Sequence, residues 1–120
     1  MTEVKLHVES LERFFGRARE TARRIDRGAR DEAAAHISFG SMEELLEVLT
    51  PNRWRLLRAL RLKGPVSIRQ LARQLGRDYR GVHSDVTRLI DEDLVERDSQ
   101  GLLLVPWTRI TAEMDIEAAA

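Results

Sequence analysis

An α+β fold, mainly α, is predicted for this 120-residue chain by three observations. Apolar residues recur at helical spacing in five segments between residues 10 and 92. Short β-prone runs flank those segments at Val4–Val8, His36–Phe39, Leu94–Arg97 and Leu102–Val105. Capping residues precede most of the helical segments, and glycine or proline follows several of them.

The length suits one domain, or one domain with a short accessory element. Apolar residues make up 42% of the chain, enough for a core and too many for a disordered polymer. No apolar run reaches the ~18–20 residues that span a bilayer. The start, Met1–Val8, alternates and carries charge, unlike a secretory leader. The absence of cysteine excludes disulfides, zinc–cysteine sites and thiol chemistry. A cytoplasmic location is the expectation.

The elements follow in order. Val4, Leu6 and Val8 alternate with Lys5 and His7, the pattern of a half-buried strand. Ser10 can cap a helix whose apolar stripe is Leu11, Phe14, Phe15, Ala18, Ala22 and Ile25, and Gly28 stops it. His36–Phe39 reads as a second strand, which makes residues 1–40 a strand–helix–strand accessory unit. Ser41 and Glu44 form a capping-box pattern ahead of Met42, Leu45, Leu46 and Leu49. Thr50 caps the next helix, Pro51 suits its first position, and Pro65 forbids continuation beyond Lys63-Gly64.

Ser67 and Gln70 form a second capping box. Ile68, Leu71, Ala72 and Leu75 make one helical face, and Gly76 ends it. Asp78 then caps a helix over 78–92 with Val82, Val86, Leu89 and Ile90 inward; Gly81 lowers its propensity in the first turn. Asp98–Gly101 is a turn joining two strands of a hairpin that Pro106 ends. The tail, 107–120, has weak helical periodicity at Ile110, Met114 and Ala118, and would either dock back or fray.

The net charge of zero hides a strong partition. Residues 51–90 hold ten basic side chains and two acidic ones, Asp78 and Asp85, whereas both flanks are net acidic. A basic block between acidic flanks suits a domain that faces a polyanion. A solvated arginine-rich surface would give the same count. Arginine outnumbers lysine 18 to 2, which suits phosphate and guanine recognition, although a GC-rich genome produces the same bias.

Helix 51–63, helix 67–75, a tight glycine turn, helix 78–92 and a hairpin together make a winged helix-turn-helix, over 41–106, with the DNA-reading unit at 50–106. The third helix would present Tyr79, Arg80, His83, Ser84, Thr87 and Arg88 to a major groove. Arg80, His83 and Ser84 are the candidates for base edges, with Arg80 bidentate to guanine. Tyr79 and Thr87 suit phosphate or a thymine methyl. Ser67 and Arg69 suit backbone phosphates at a helix N-terminus, and Arg73 and Arg77 extend that positive edge. Arg97 could reach a minor groove, although Glu96 and Asp98 flank it. Trp54 and Trp107 read as packing residues.

The run Pro65–Val86, and the wording Leu89–Arg97 (LIDEDLVER), are similar to winged-helix regulators of the MarR/ArsR type. The segment Ser38–Arg53 also resembles that of a family of short archaeal and bacterial DNA-binding proteins. The likeness covers residues 38–106. Asp93 departs from it where glycine is frequent, and Leu102 departs where a basic residue is common. Membership would imply a prokaryotic autoregulator, and in some cases an antitoxin encoded beside a toxin.

No catalytic arrangement stands out. His7, His36 and His83 lack metal-ligand spacing, and neither a phosphate-binding glycine loop nor a nucleophile elbow occurs. The expectation is therefore a non-enzymatic, cofactor-free regulator that binds double-stranded DNA. It would be a homodimer built through the apolar stripe of the 1–40 unit, unless that stripe packs within its own chain. Two rivals remain: a protein-interaction module with a partner such as a toxin, and a sequence-blind architectural nucleic-acid-binding protein.

Overall fold

A computed structural model describes residues 3–9, 15–16, 18–20, 22–23, 35–114 and 116. The chain is α+β and divides into two compact units, Leu46–Thr108 and Thr2–Leu45 with Arg109–Ala120. No helix among the described residues is long and apolar enough to cross a membrane.

The Thr2–Leu45 unit holds a three-stranded sheet ordered β2–β1–β5. β1 is Glu3–Val8, β2 is Ala35–Phe39 and β5 is Arg109–Ala112, the last arriving after two strands of the other unit. β1 is parallel to both neighbours, with Leu6 opposite Ile37 on one side and Ala112 on the other. Val4 and Leu6 are fully buried, as the alternation requires. A parallel pair needs a long crossover, and between β1 and β2 the described residues 15–16, 18–20 and 22–23 are helical. Of the apolar stripe expected there, Leu11, Phe14 and Ile25 lie outside the described residues, as do Ser10 and Gly28.

The helical reading of the tail is corrected at residues 109–112, which form β5. Glu113 N–H donates to the Leu6 carbonyl at 2.9 Å and continues the pairing. Adjacent β-branched Ile110 and Thr111 favour extended backbone, and β1 offers an edge with its hydrogen-bonding groups open. Three sparse apolar residues were too weak a signal against that. Ala118 lies outside the described residues.

α1, Met42–Val48, crosses the division between the units. Its cap differs slightly from the expected box: Ser41 Oγ accepts from Glu44 N–H, but the Glu44 carboxylate reaches back to Gly40 N–H at 2.9 Å.

The Leu46–Thr108 unit carries α2 (Pro51–Lys63), α3 (Ile68–Leu75) and α4 (Tyr79–Asp91). They are followed by the antiparallel strands β3 (Glu96–Arg97) and β4 (Leu103–Leu104). Thr50 accepts from Arg53 N–H at the start of α2. Ser67 and Gln70 complete a reciprocal capping box on α3. Asp78 accepts from Gly81 N–H at the start of α4. One core joins them: Leu56, Leu57 and Leu60, then Ile68, Leu71 and Ala72, then Val82, Val86 and Leu89, closed by Leu94, Val95, Leu103 and Val105. Leu103 exchanges two backbone hydrogen bonds with Val66, 2.7 and 3.1 Å, so β4 is tied to the α2–α3 connection as well as to β3. Gly64 makes that approach possible. A Cβ there would stand 2.8 Å from the Leu60 carbonyl oxygen and 3.1 Å from that of Leu103.

α3 and α4 end in the same way. Arg77 N–H bonds the Ala72 carbonyl and Gly76 N–H that of Arg73. Leu94 N–H bonds the Leu89 carbonyl and Asp93 N–H that of Ile90. Both are Schellman motifs with a left-handed residue at the turn: Gly76 at φ 65° and Asp93 at φ 62°. Aspartate is one of the few side chains that tolerate this region, so it can stand where glycine is frequent. The Trp107 indole donates to the Asp93 carbonyl at 2.9 Å and braces the second motif.

Gly76→Ala is expected to lose about 1 kcal/mol of stability in urea unfolding, because no neighbour crowds the site and the left-handed backbone alone is penalised. Asp93→Gly should gain up to about 1 kcal/mol by the same measurement. Leu89→Ala, in the fully buried core, should lose ~2–5 kcal/mol.

Candidate functional site

The inner face of α4 is fixed by Val82, Val86 and Leu89, all at 0% exposure. Helical geometry turns Tyr79, Arg80, His83, Ser84, Thr87 and Arg88 to the opposite side, and all six are exposed. They do not lie on a featureless surface. Two open grooves meet at His83.

The first groove, about 300 Å3, is lined by Ser67, Ile68, Arg69, Tyr79, His83, Arg97 and Gly101. It brings together the start of α3, the start of α4 and the hairpin turn. The Tyr79 and His83 rings sit one helical turn apart, with centroids 6.0 Å apart and planes inclined by 31°. Arg97 donates to the Gly101 carbonyl at 3.2 Å, so one of its donors holds the hairpin turn. Asp98 organises that turn further by accepting from Gln100 N–H and Leu102 N–H. A guanidinium has five donors, which leaves Arg97 others for a ligand.

The second groove, about 530 Å3, runs along α4 and is lined by Arg53, Arg80, His83, Ser84, Thr87, Arg88 and Asp91. Thr87 donates its hydroxyl proton to the His83 carbonyl at 2.9 Å. What it can offer a ligand is a methyl group and acceptor lone pairs. Arg88 pairs with Glu92 at 3.4 Å, one turn along. Asp91 and Glu92 thus bring negative charge to the C-terminal end of the outer face, whereas Arg80 stands at its N-terminal end.

Nine of the eleven residues expected at the site therefore line one groove or the other. Arg73 is exposed on α3 and lines neither. Arg77 is turned toward Asp85, with Nη1 2.8 Å from Oδ2. Those two atoms are buried and meet at an angle too poor for a hydrogen bond, so their contact is ionic.

Sequence reasoning missed Asp85. Its other oxygen, Oδ1, accepts from Arg53 Nε at 3.0 Å. Arg53 also donates from Nη1 to the Glu47 carbonyl at 2.7 Å and, less closely, to that of Val48. One carboxylate on α4 thus holds an arginine of α2 and one of the α3–α4 turn. Gly81 accommodates the second: a Cβ there would stand 3.3 Å from Arg77 Nη2 and 3.0 Å from Asp78 Oδ1. The available signals were an acid three residues after Val82, beside the buried face, in a block with only one other acid, and a glycine inside a helix.

In the sheet unit, His7 and His36 meet although 29 residues separate them, with His36 Nδ1 3.1 Å from His7 Nε2. His7 Nδ1 lies 3.2 Å from Glu9. Parallel pairing of β1 and β2 causes this, since Lys5 is opposite His36 and His7 opposite Ser38. Among the described residues no group of three or more His, Cys, Asp or Glu is arranged to hold a metal ion.

No curated protein matches the chain. The model of the HVO_A0114 family matches residues 48–112, which take in all three helices of the Leu46–Thr108 unit, its hairpin and β5. That match covers more than half of the sequence, and the chain belongs to the HVO_A0114 family.

Proposed function

We propose that this protein is a sequence-specific DNA-binding regulator, a winged helix-turn-helix that reads the major groove with α4. The observation that carries the proposal is the two-faced character of that helix. Val82, Val86 and Leu89 on its inner face are fully buried, and its outer face is polar, exposed and bordered by two open grooves lined by Arg53, Arg69, Arg80, Arg88 and Arg97. A helix with its side chains is ~10–12 Å wide, close to the ~12 Å of the major groove.

In this reading Arg80 supplies bidentate donors to guanine, and His83 and Ser84 touch base edges. Tyr79, Thr87 and Arg88 flank them. Ser67 and Arg69 meet phosphate, with the N-terminal backbone of α3 aiding the charge. Arg97 approaches from the hairpin, the wing of the motif. The resemblance to MarR/ArsR-type regulators supports the same assignment.

We also propose a homodimer joined through the helix after β1, because half-sites in duplex DNA call for two copies. Phe15 is 55% exposed there, and Ala18 and Ala22, three and seven residues on, are exposed as well.

Two measurements test these readings. The purified protein should bind its own upstream duplex more tightly than a scrambled duplex, and Arg80→Ala/His83→Ala should erase the preference, each base contact being worth ~1–3 kcal/mol. Equal affinity for both duplexes would indicate an architectural protein, and no binding at either of two salt concentrations would indicate a protein-interaction module. By sedimentation the wild type should be a dimer and Phe15→Glu a monomer; a monomeric wild type or a dimeric variant would end the dimer proposal.

A further inference from the structure

The basic block of residues 51–90 holds ten cations, and two of them, Arg53 and Arg77, are drawn to a single carboxylate. Asp85 is 13% exposed, Arg53 18% and Arg77 25%, so the cluster is mostly withdrawn from water. Yet it sits at the rim of the proposed DNA face. Arg53 lines the same groove as Arg80, Ser84 and Thr87. Asp85 directly follows Ser84, on the helix turn that carries His83.

An arginine at such a rim, left free, would contact phosphate whatever the base sequence. Phosphate contacts raise affinity for every duplex alike and steepen its dependence on salt. They therefore dilute the advantage of the correct site over the many wrong ones. Asp85 opposes this twice. It lowers the cluster's charge from +2 to +1, and it engages a nitrogen of each guanidinium, with Arg53 further held by the Glu47 carbonyl.

We infer that Asp85 is a specificity-determining residue that withholds Arg53 and Arg77 from the nucleic-acid backbone. It touches no base; it acts through the two arginines. The inference rests on the proposed DNA reading, and the test separates the two.

The comparison is between Asp85→Asn and Asp78→Asn. Each removes one negative charge, but Asp78 caps α4, asparagine caps equally well, and none of the ion pairs among the described residues involves Asp78. On a scrambled duplex, Asp85→Asn should bind about three- to tenfold more tightly than the wild type at low salt. The slope of log K against log salt should steepen by about 1 to 2, at ~0.9 per added phosphate contact. Asp78→Asn should change it by less than one contact. The ratio of affinities for the upstream and scrambled duplexes should fall in Asp85→Asn alone. A merely structural role would lower the melting temperature without tightening non-specific binding.

Should Asp85→Asn fail to fold, Arg53→Gln, which leaves Asp85 paired with Arg77, answers the same question. A withheld arginine predicts an unchanged salt slope on the scrambled duplex, whereas a slope shallower by about 1 means that Arg53 already contacts phosphate and overturns the inference. So does an Asp85→Asn shift no larger than that of Asp78→Asn. Heparin retention separates this inference from the reading beneath it. A wild type with no preference between duplexes, but an Asp85→Asn protein eluting at higher salt than Asp78→Asn, would remove sequence reading and keep the withholding of the arginines.

Discussion

Burial of Val82, Val86 and Leu89 sets the rotation of α4 about its own axis, and the rest of the site depends on that angle. Successive residues of an α-helix are about 100° apart. A rotation by one position would bring Gly81, Asp85 and Arg88, or His83, Thr87 and Ile90, toward the core in place of Val82, Val86 and Leu89. A buried charge without partners costs several kcal/mol, so the alternative does not compete. The outward set Arg80, His83, Ser84 and Thr87 is thus a consequence of what must be inside. Those polar residues could change without moving the helix, because nothing in the core depends on them.

The helix must also begin and end at fixed places, and short-range hydrogen bonding achieves this. Asp78 fixes the start of α4, and the Schellman turn at Asp93 fixes its end. The same turn carries the chain directly into buried Leu94 and Val95, so the end of the helix is also the anchor of the hairpin. At the far side of the hairpin Leu103 lies between β3 and Val66. The position of Arg97 and Gly101 beside the start of α3 follows from those two anchors. The groove is therefore defined by backbone bonds and apolar packing.

The cluster of Arg53, Asp85 and Arg77 adds an electrostatic link of a different kind. Apolar packing fixes the helix angle but is indifferent to where cations at its margin point. A partly buried carboxylate with one oxygen for each guanidinium gives them direction. Charge counting along the sequence treats all ten cations of the block as equal, and the tertiary arrangement makes two of them unequal to the others.

Much of the Leu46–Thr108 unit was legible in the sequence because its signals are local. Thr50-Pro51, Ser67 with Gln70, Gly76 and Asp78 act within four residues of themselves, and the periodicity of α3 and α4 reports its own buried face. Most of β1 and β2 was legible for the same reason, at Val4–Val8 and His36–Phe39. What the sequence did not determine is long-range. β5 is a strand because β1, about a hundred residues earlier, has an edge to pair. His7 meets His36 because two strands run parallel in one register. Asp85 has two arginine partners because α2 and the α3–α4 turn converge on its side of α4. Local capping and periodicity are properties of neighbouring residues and are written along the chain. Pairing partners and ion pairs are properties of distance in space, and only the folded chain decides them.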